Sequence, residues 1–317
     1  MLNYKWDKTA RLTALLGEIE VLKRVYDALP QMSVVEEKLL RRSLLKSAVY
    51  SARIEGIPAT EQSPKLEAQN LLSAYRRIFS GGYGDKFSTK LVRDLHTAAM
   101  KNLSPGAGEY RNEPWAIYNQ AGVAVHVAPP HFRLQEMMDE YSRYISGLYD
   151  STAEKSAAAQ FILEKIHPFA DGNGRVGRLV SAYLLQTEGY GFKGLLMLEE
   201  YIEKHREEYY EVLTPSDDMT GFVEYFLEGV VRQANAGLER LKDEPEDEGA
   251  PHLLPRREEI LAVIGEHPRS SFDFIHRRFL SVNPKTLNFV DSAGIEPAIG
   301  RCERPGIPLT YEPRGLG

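Results

Sequence analysis

A chain of 317 residues with 43% hydrophobic and 26% charged content has the make-up of a soluble globular protein. It is long enough for roughly two domains and a substantial core. The net charge of −6 excludes a nucleic-acid coat over the whole length, and the single cysteine, Cys302, excludes an intrachain disulfide framework or a cysteine metal cluster. That cysteine usage fits a reducing compartment.

The first twenty residues carry charges at Lys5, Asp7, Lys8 and Arg11, so they lack the apolar core of a signal peptide. No apolar run suits a membrane span. The expected location is cytoplasmic, with no membrane partner.

Helical spacing of Leu12, Leu15, Leu16, Ile19, Leu22 and Val25 predicts a helix over 10–29. Leu39, Leu40, Leu44, Leu45 and Val49 predict a second over 33–54. "EGIPATEQSP" breaks the pattern with Gly56, Pro58 and Pro64. Helices are expected again over 65–79 and 88–102.

Residues 105–130 change character. Glycines, prolines and a Val-Ala-Val-His-Val alternation around "NQAG" predict a β-hairpin at roughly 114–128, the only one before residue 240. Helices follow over about 131–148, 153–166, 175–188, 200–213 and 219–241. The acidic, proline-rich run 242–255 reads as a linker. Beyond it, 256–317 holds short helices and a glycine- and proline-spaced end whose order resembles a winged-helix module.

The densest chemistry lies in "HPFADGNGRVGR", residues 167–178. Pro168 disfavours the α conformation at His167, so a helix should stop there and leave His167 in a loop. A new helix should begin near Arg175, with Val176, Leu179, Val180, Tyr183 and Leu184 as its apolar stripe. "GNG" then sits at a helix N-terminus, where free N–H groups and the dipole attract anions. Gly172 and Gly174 permit close backbone approach. Arg175 and Arg178 are neighbours at i, i+3, and their planar forks match phosphate oxygens. Asp171 beside such a nest implies Mg²⁺, which takes one or two carboxylates plus phosphates. His167 is left as the proton acceptor. These residues describe a nucleotide phosphate site with a metal and a general base.

The twelve residues match the Fic-family signature, His-x-Phe-x-Asp/Glu-Gly-Asn-Gly-Arg-x-x-Arg, at every fixed position, and the resemblance extends over most of 1–240. It implies a mainly α fold, a Fic-type helical bundle with a β-hairpin flap, with the winged-helix-like module appended. The implied domains are an N-terminal helical region (1–84), a catalytic core (85–241), the linker (242–255) and the C-terminal module (256–317). The implied reaction moves AMP from Mg·ATP to a Ser, Thr or Tyr hydroxyl of a protein and releases pyrophosphate. His167 would deprotonate the hydroxyl and Asp171 would bind Mg²⁺. The backbone of Gly172, Asn173 and Gly174 would hold the α- and β-phosphates, Arg175 and Arg178 the outer ones, and Phe169 would anchor the loop.

"SARIEG" (51–56) resembles the family's inhibitory motif, on a helix of about 33–56. Ser51 and Glu55 share a helix face at i, i+4. A carboxylate of Glu55 reaching Arg178 would occupy the fork meant for a γ-phosphate, with Gly56 closing the helix. The hairpin resembles the family's flap, which places Ala124, Val125, His126 and Val127 near the nucleotide. "YIEKHREEYYEVL" (201–213) resembles the nucleoside-pocket segment. One of Tyr209 and Tyr210 would pack in the core while the other meets the base or ribose. Asp217 stands where a related pattern has Asn.

The expectation is therefore an autoinhibited protein adenylyltransferase, with itself among its targets and with Glu55-dependent removal of AMP as a second activity. Two alternatives stand beside it: transfer of another nucleoside monophosphate or a phosphoryl group, and a non-enzymatic ATP-sensing winged-helix regulator. Relatives of this kind are often homodimers. Residues 256–317 set nine arginines and lysines against eight acidic residues, a balance that supports a partner-positioning role better than nucleic-acid binding.

Overall fold

The computed structural model describes residues 3–29, 34–118, 124–214 and 216–243. All of them belong to the first of the chain's two units, Met1–Pro245. The expected linker, apart from its first residues, and the expected winged-helix module lie outside the described residues.

The fold is mainly helical: α1 (Ala10–Ala28), α2 (Val34–Ile54), α3 (Leu66–Phe79) and α4 (Thr89–Ala99) precede the hairpin β1 (Ala116–Tyr118) and β2 (Ala124–Val127). Then come α5 (Leu134–Gly147), α6 (Thr152–Ile166), α7 (Asn173–Thr187), α8 (Leu198–Lys204), α9 (Arg206–Val212) and α10 (Thr220–Asp243).

The pair α6 and α7 forms the centre, with α10 and α5 also packed on α6 and with α3 and α4 against α7. Helix α6 is buried nearly all round, a pattern of central helices. Ala157, Ala158 and Ala159 make it thin enough for close neighbours, while Phe161, Ile162, Leu163 and Ile166 fill the core. It starts with a capping box in which the Glu154 N–H donates to Ser151 Oγ and the Ser151 N–H to Glu154 Oε2, both at 3.3 Å. Glu154 also accepts from Trp6 Nε1 at 2.9 Å and from Lys8, tying the N-terminal segment to the helix start.

Four of the differences from the expected boundaries have a clear local reason. Helix α4 ends at Ala99 rather than 102: Asn70 Nδ2 donates to the carbonyls of Ala99 (3.2 Å) and Lys101 (2.7 Å), and Asn102 takes a left-handed conformation (φ 60°). Helix α7 begins at Asn173, two residues early, because Gly172 serves as its left-handed N-cap. The expected helix 200–213 is two helices. His205 leaves helical geometry (φ −117°, ψ 41°), and both its N–H and its Nδ1 engage the Tyr201 carbonyl, at 3.0 and 2.9 Å. The hairpin's ladder is shorter than 114–128. Ala116 pairs with Val127 and Ile117 with His126, then the register shifts so that Tyr118 faces Ala124.

Candidate functional site

The site is built where α6 ends, α7 begins and the C-terminal end of α2 arrives. His167 caps α6 in a left-handed conformation (φ 49°, ψ 59°), its N–H still bonded to the Leu163 carbonyl at 2.9 Å. Pro168 closes the α region to it, and the left-handed region is the exit taken. That conformation costs a non-glycine residue about 1–2 kcal/mol. Neighbours hold it in place. Arg111 Nε donates to the His167 carbonyl at 2.8 Å, the Arg111 N–H donates to the Pro168 carbonyl at 2.9 Å, and the Trp115 indole stacks on the imidazole with centroids 3.5 Å apart.

Between the helices the chain folds onto itself through Asn173. Its Oδ1 accepts from the Phe169 N–H (2.9 Å) and its Nδ2 donates to the Phe169 carbonyl (2.8 Å). Phe169 is fully buried and lies flat against His96, with centroids 3.8 Å apart and planes 3° apart. His96 in turn accepts the Gly108 N–H at Nδ1 (2.7 Å), which leaves its proton on Nε2 to meet the Asp171 carbonyl (3.0 Å). Burial pushes the His96 pKa down to about 4, so the ring is neutral at physiological pH.

Asp171 is the open residue of the loop, its side chain 66% exposed against 4% for Arg175. Its Oδ1 accepts from the Gly172 N–H (2.6 Å) and from Arg175 Nη2 (2.8 Å). Gly172 is required where it stands: φ is +82°, and a Cβ there would lie 2.7 Å from Met100 Sδ. The first-turn N–H groups of α7, at Asn173, Gly174 and Arg175, lack partners within the helix. Arg175 Nε is buried without a hydrogen-bond partner among the described residues. An orphaned guanidinium N–H beside a helix N-terminus is a donor set that fits an anion. A largely exposed carboxylate at its mouth fits a hard cation carried with that anion.

Arg178, about one turn further along α7, is 1% exposed. Its Nε donates to Ser51 Oγ (2.9 Å), and its Nη2 to the Ser51 carbonyl (3.0 Å) and to Glu55 Oε1 (2.8 Å). Glu55 sits just past the last residue of α2, in the turn that Gly56 closes at φ +81°. Burial alone would lower the Arg178 pKa; the Glu55 carboxylate more than offsets this and holds it above its ordinary value.

A second carboxylate reaches the same place. A Cβ added at Gly174 would lie 2.5 Å from Glu55 Oε1, and 3.2 Å from both Glu164 Oε1 and Arg178 Nη1. The Glu164 pKa is pushed up to about 7, first by burial and then by Glu55. Sequence reasoning missed Glu164 and His96. Glu164 carried a signal, a carboxylate three before His167 directly after the apolar run Phe161–Leu163; His96 carried none.

The remaining expected residues fall in several places. Tyr209 is buried, its hydroxyl accepting from Gln160 Nε2 at 3.1 Å, while Tyr210 is 49% exposed and donates to the Ile54 carbonyl at 3.3 Å, beside Glu55. Asp217 is on an exposed loop, its carbonyl accepting the Lys5 N–H at 3.0 Å. Ala124, Val125, His126 and Val127 form β2, and Val127 is exposed.

Residues 86–185 match the family model described as the Fic/DOC family. They are a Fic domain. The matched span contains α4, the hairpin, His167 and all of the Asp171–Arg178 cradle, whereas Ser51 and Glu55 lie upstream of it. Among similar proteins, the protein adenylyltransferase Fic of Drosophila sechellia is 33% identical over 105 residues, 32% of this chain and 20% of that protein. The protein of the same name from Drosophila virilis is 26% identical over 199 residues, 60% of this chain and 38% of that one. The chain thus spans well under half the length of these relatives. Among solved structures, a Fic family protein from Desulfovibrio desulfuricans G20 shares the fold over the whole of both chains, with a TM-score of 0.65 at 21% identity. Fic-1 from C. elegans shares it over 74% of each chain, with a TM-score of 0.61 at 19% identity. No helix among the described residues is long and apolar enough to cross a membrane.

Proposed function

We propose that this protein is an autoinhibited adenylyltransferase that moves AMP from Mg·ATP to a hydroxyl of a protein. The observation that carries this reading is the pair Arg178–Glu55 at 2.8 Å, deep beside an anion cradle whose Arg175 Nε lacks a partner among the described residues. The Fic domain and the name shared by its relatives support the same reaction class.

In this reading the triphosphate lies along the N-terminus of α7, its oxygens taken by first-turn N–H groups and by Arg175. Asp171 and the phosphates would hold Mg²⁺, which would supply charge neutralisation on the departing group. His167 accepts the proton of a target Ser, Thr or Tyr hydroxyl. The freed oxygen attacks the α-phosphorus, forms the new P–O bond and expels pyrophosphate as the bond to the β-phosphate oxygen breaks. Arg178 would grip the γ-phosphate. In the described state Glu55 occupies that guanidinium, so ATP would bind without its reactive alignment.

The test is incubation with labelled ATP. Glu55→Gly should raise the label on the protein itself or on an added target, and His167→Ala in the same background should abolish it. Mass spectrometry of the product should find an adenylyl group. A phosphoryl group would favour phosphate transfer, and labelling that survives loss of His167 would sink the mechanism.

A further inference from the structure

Trp115 stands outside the twelve-residue motif, and nothing in the mechanism above uses it. Its indole lies on the imidazole of His167 with centroids 3.5 Å apart and planes 23° apart. Both residues are half-buried. The main chain of Trp115 is the foot of the hairpin: its carbonyl accepts the Ala128 N–H at 3.0 Å, one position before the first strand pair, Ala116 with Val127. Arg111 joins the same pieces from below. Its Nε donates to the His167 carbonyl, its Nη1 to the Glu113 carbonyl and its Nη2 to the Pro129 carbonyl. The backbone of the base and both feet of the hairpin are therefore one hydrogen-bonded unit, and the ring laid on the base belongs to the hairpin's first foot.

We propose that Trp115 is a positioning residue for His167, fixing the plane of its ring and coupling that plane to the β1–β2 hairpin. The inference rests on the reading of His167 as the base. The physical need is plain. His167 sits on a left-handed backbone at a helix end, past the last turn of α6. A general base works only within hydrogen-bond reach of its proton, and a misplacement of about 1 Å can cost on the order of a hundredfold. A stacked indole covers one face of the imidazole and does not itself occupy the edge nitrogens. Once His167 has taken a proton, the indole face also attracts the imidazolium. A target segment laid along the hairpin would act on the base through this stack.

The experiment uses the full chain carrying Glu55→Gly, with Trp115→Leu, Trp115→Phe and Ala128→Pro added singly. The first readout is NMR of the histidine ring protons, with the His167 signals assigned by their absence in His167→Ala. In the parent they should lie upfield through the indole ring current, and Trp115→Leu should remove that shift. The second is steady-state AMP transfer. Trp115→Leu should lower kcat about tenfold or more while KM for Mg·ATP stays unchanged, and Trp115→Phe, which keeps a ring, should recover most of the rate. Ala128→Pro deletes the N–H bound by the Trp115 carbonyl without touching either ring. It should move both readouts the same way, and no movement would overturn the coupling. Equal losses in the Leu and Phe variants, together with a lowered melting temperature, would make Trp115 a packing residue only. If the parent transfers AMP and Trp115→Leu leaves kcat unchanged, the proposal fails and the reading of the site stands. If the parent transfers nothing from ATP although the upfield shift is present, the reading of His167 fails while the stack remains.

Discussion

Arg178 and Glu55, 123 positions apart in sequence, meet at 2.8 Å inside the protein, and Ser51 takes two further donors of the same guanidinium. The pair closes a cage around a cation that is 1% exposed, with a carboxylate that is 28% exposed on the outer side. The Glu55 arm is therefore the replaceable one. An anion entering along α7 can take its position without moving the Ser51 contacts.

Removing that arm should destabilise the free protein and sharpen its response to nucleotide. Glu55→Gly leaves a buried guanidinium short of a counter-charge, and a loss of about 2–4 kcal/mol is expected in urea unfolding. Mg·ATP should then raise the melting temperature more in the variant than in the wild type, because its phosphates restore the missing charge. A smaller nucleotide-induced shift in the variant would contradict this role for the pair.

Glu164 should give the protein a pH signature near neutrality. Its folded-state pKa, about 7, lies above the ordinary 4.5, so folding favours its protonated form. The resulting stabilisation is fully present below pH 4.5 and is lost as pH rises through about 7. Glu164→Gln keeps the shape and removes the titration. Relative to the wild type, this variant should gain on the order of 3 kcal/mol between those limits. Urea midpoints of the two proteins across the range give the answer, and a difference that does not vary with pH would exclude it.

His96 works in the opposite direction. Its folded pKa of about 4 lies below the ordinary 6.5, so its contribution is present above pH 6.5 and lost as pH falls toward 4. His96→Phe keeps the stack on Phe169 but strands the Gly108 N–H and the Asp171 carbonyl. A cost of about 1–3 kcal/mol at pH 7 is expected, together with weaker Mg·ATP binding by calorimetry. A variant of wild-type stability would show that the two hydrogen bonds carry no weight.

The two glycines of the cradle should fail differently. Gly172→Ala must hold φ +82° with its methyl 2.7 Å from Met100 Sδ, and it should lose about 1–2 kcal/mol of stability. Gly174 has no such backbone demand. Its methyl would stand 2.5 Å from Glu55 Oε1, so the Glu55 side chain must swing away and the phosphate approach narrows. Gly174→Ala should therefore bind Mg·ATP more weakly with a smaller loss of stability. Equal nucleotide affinity in Gly174→Ala and the wild type would count against a phosphate path over this residue.

Much of this was legible in the residues themselves, because it is local. The apolar periodicity gave most of the helices, and Pro168 stopped one helix at His167. The glycines and asparagine between Asp171 and Arg175 opened the next helix with bare N–H groups. The spacing of Ser51 and Glu55 put both on one side of a helix end, and the structure brings both to Arg178. Helix boundaries slipped where distant groups intervened: Asn70 collects the carbonyls that end α4, and His205 turns back on Tyr201 to split α8 from α9.

What only the tertiary structure decided is which groups from separate helices face one another. Periodicity states which side of a helix is buried, and it is silent on the neighbour that buries it. His96 lies 75 positions before the carbonyl it meets, and the Trp115 ring reaches His167 only because the hairpin foot folds back over the α6 terminus. Glu164 becomes unusual only when packing brings Glu55 beside it in a site with little water. The sequence by itself determined the chemical groups and their local backbone. Close packing of α2, α4, α6 and α7 determined the electrostatic field those groups work in, since burial and unlike neighbours, absent from any local stretch, are what shift a charge.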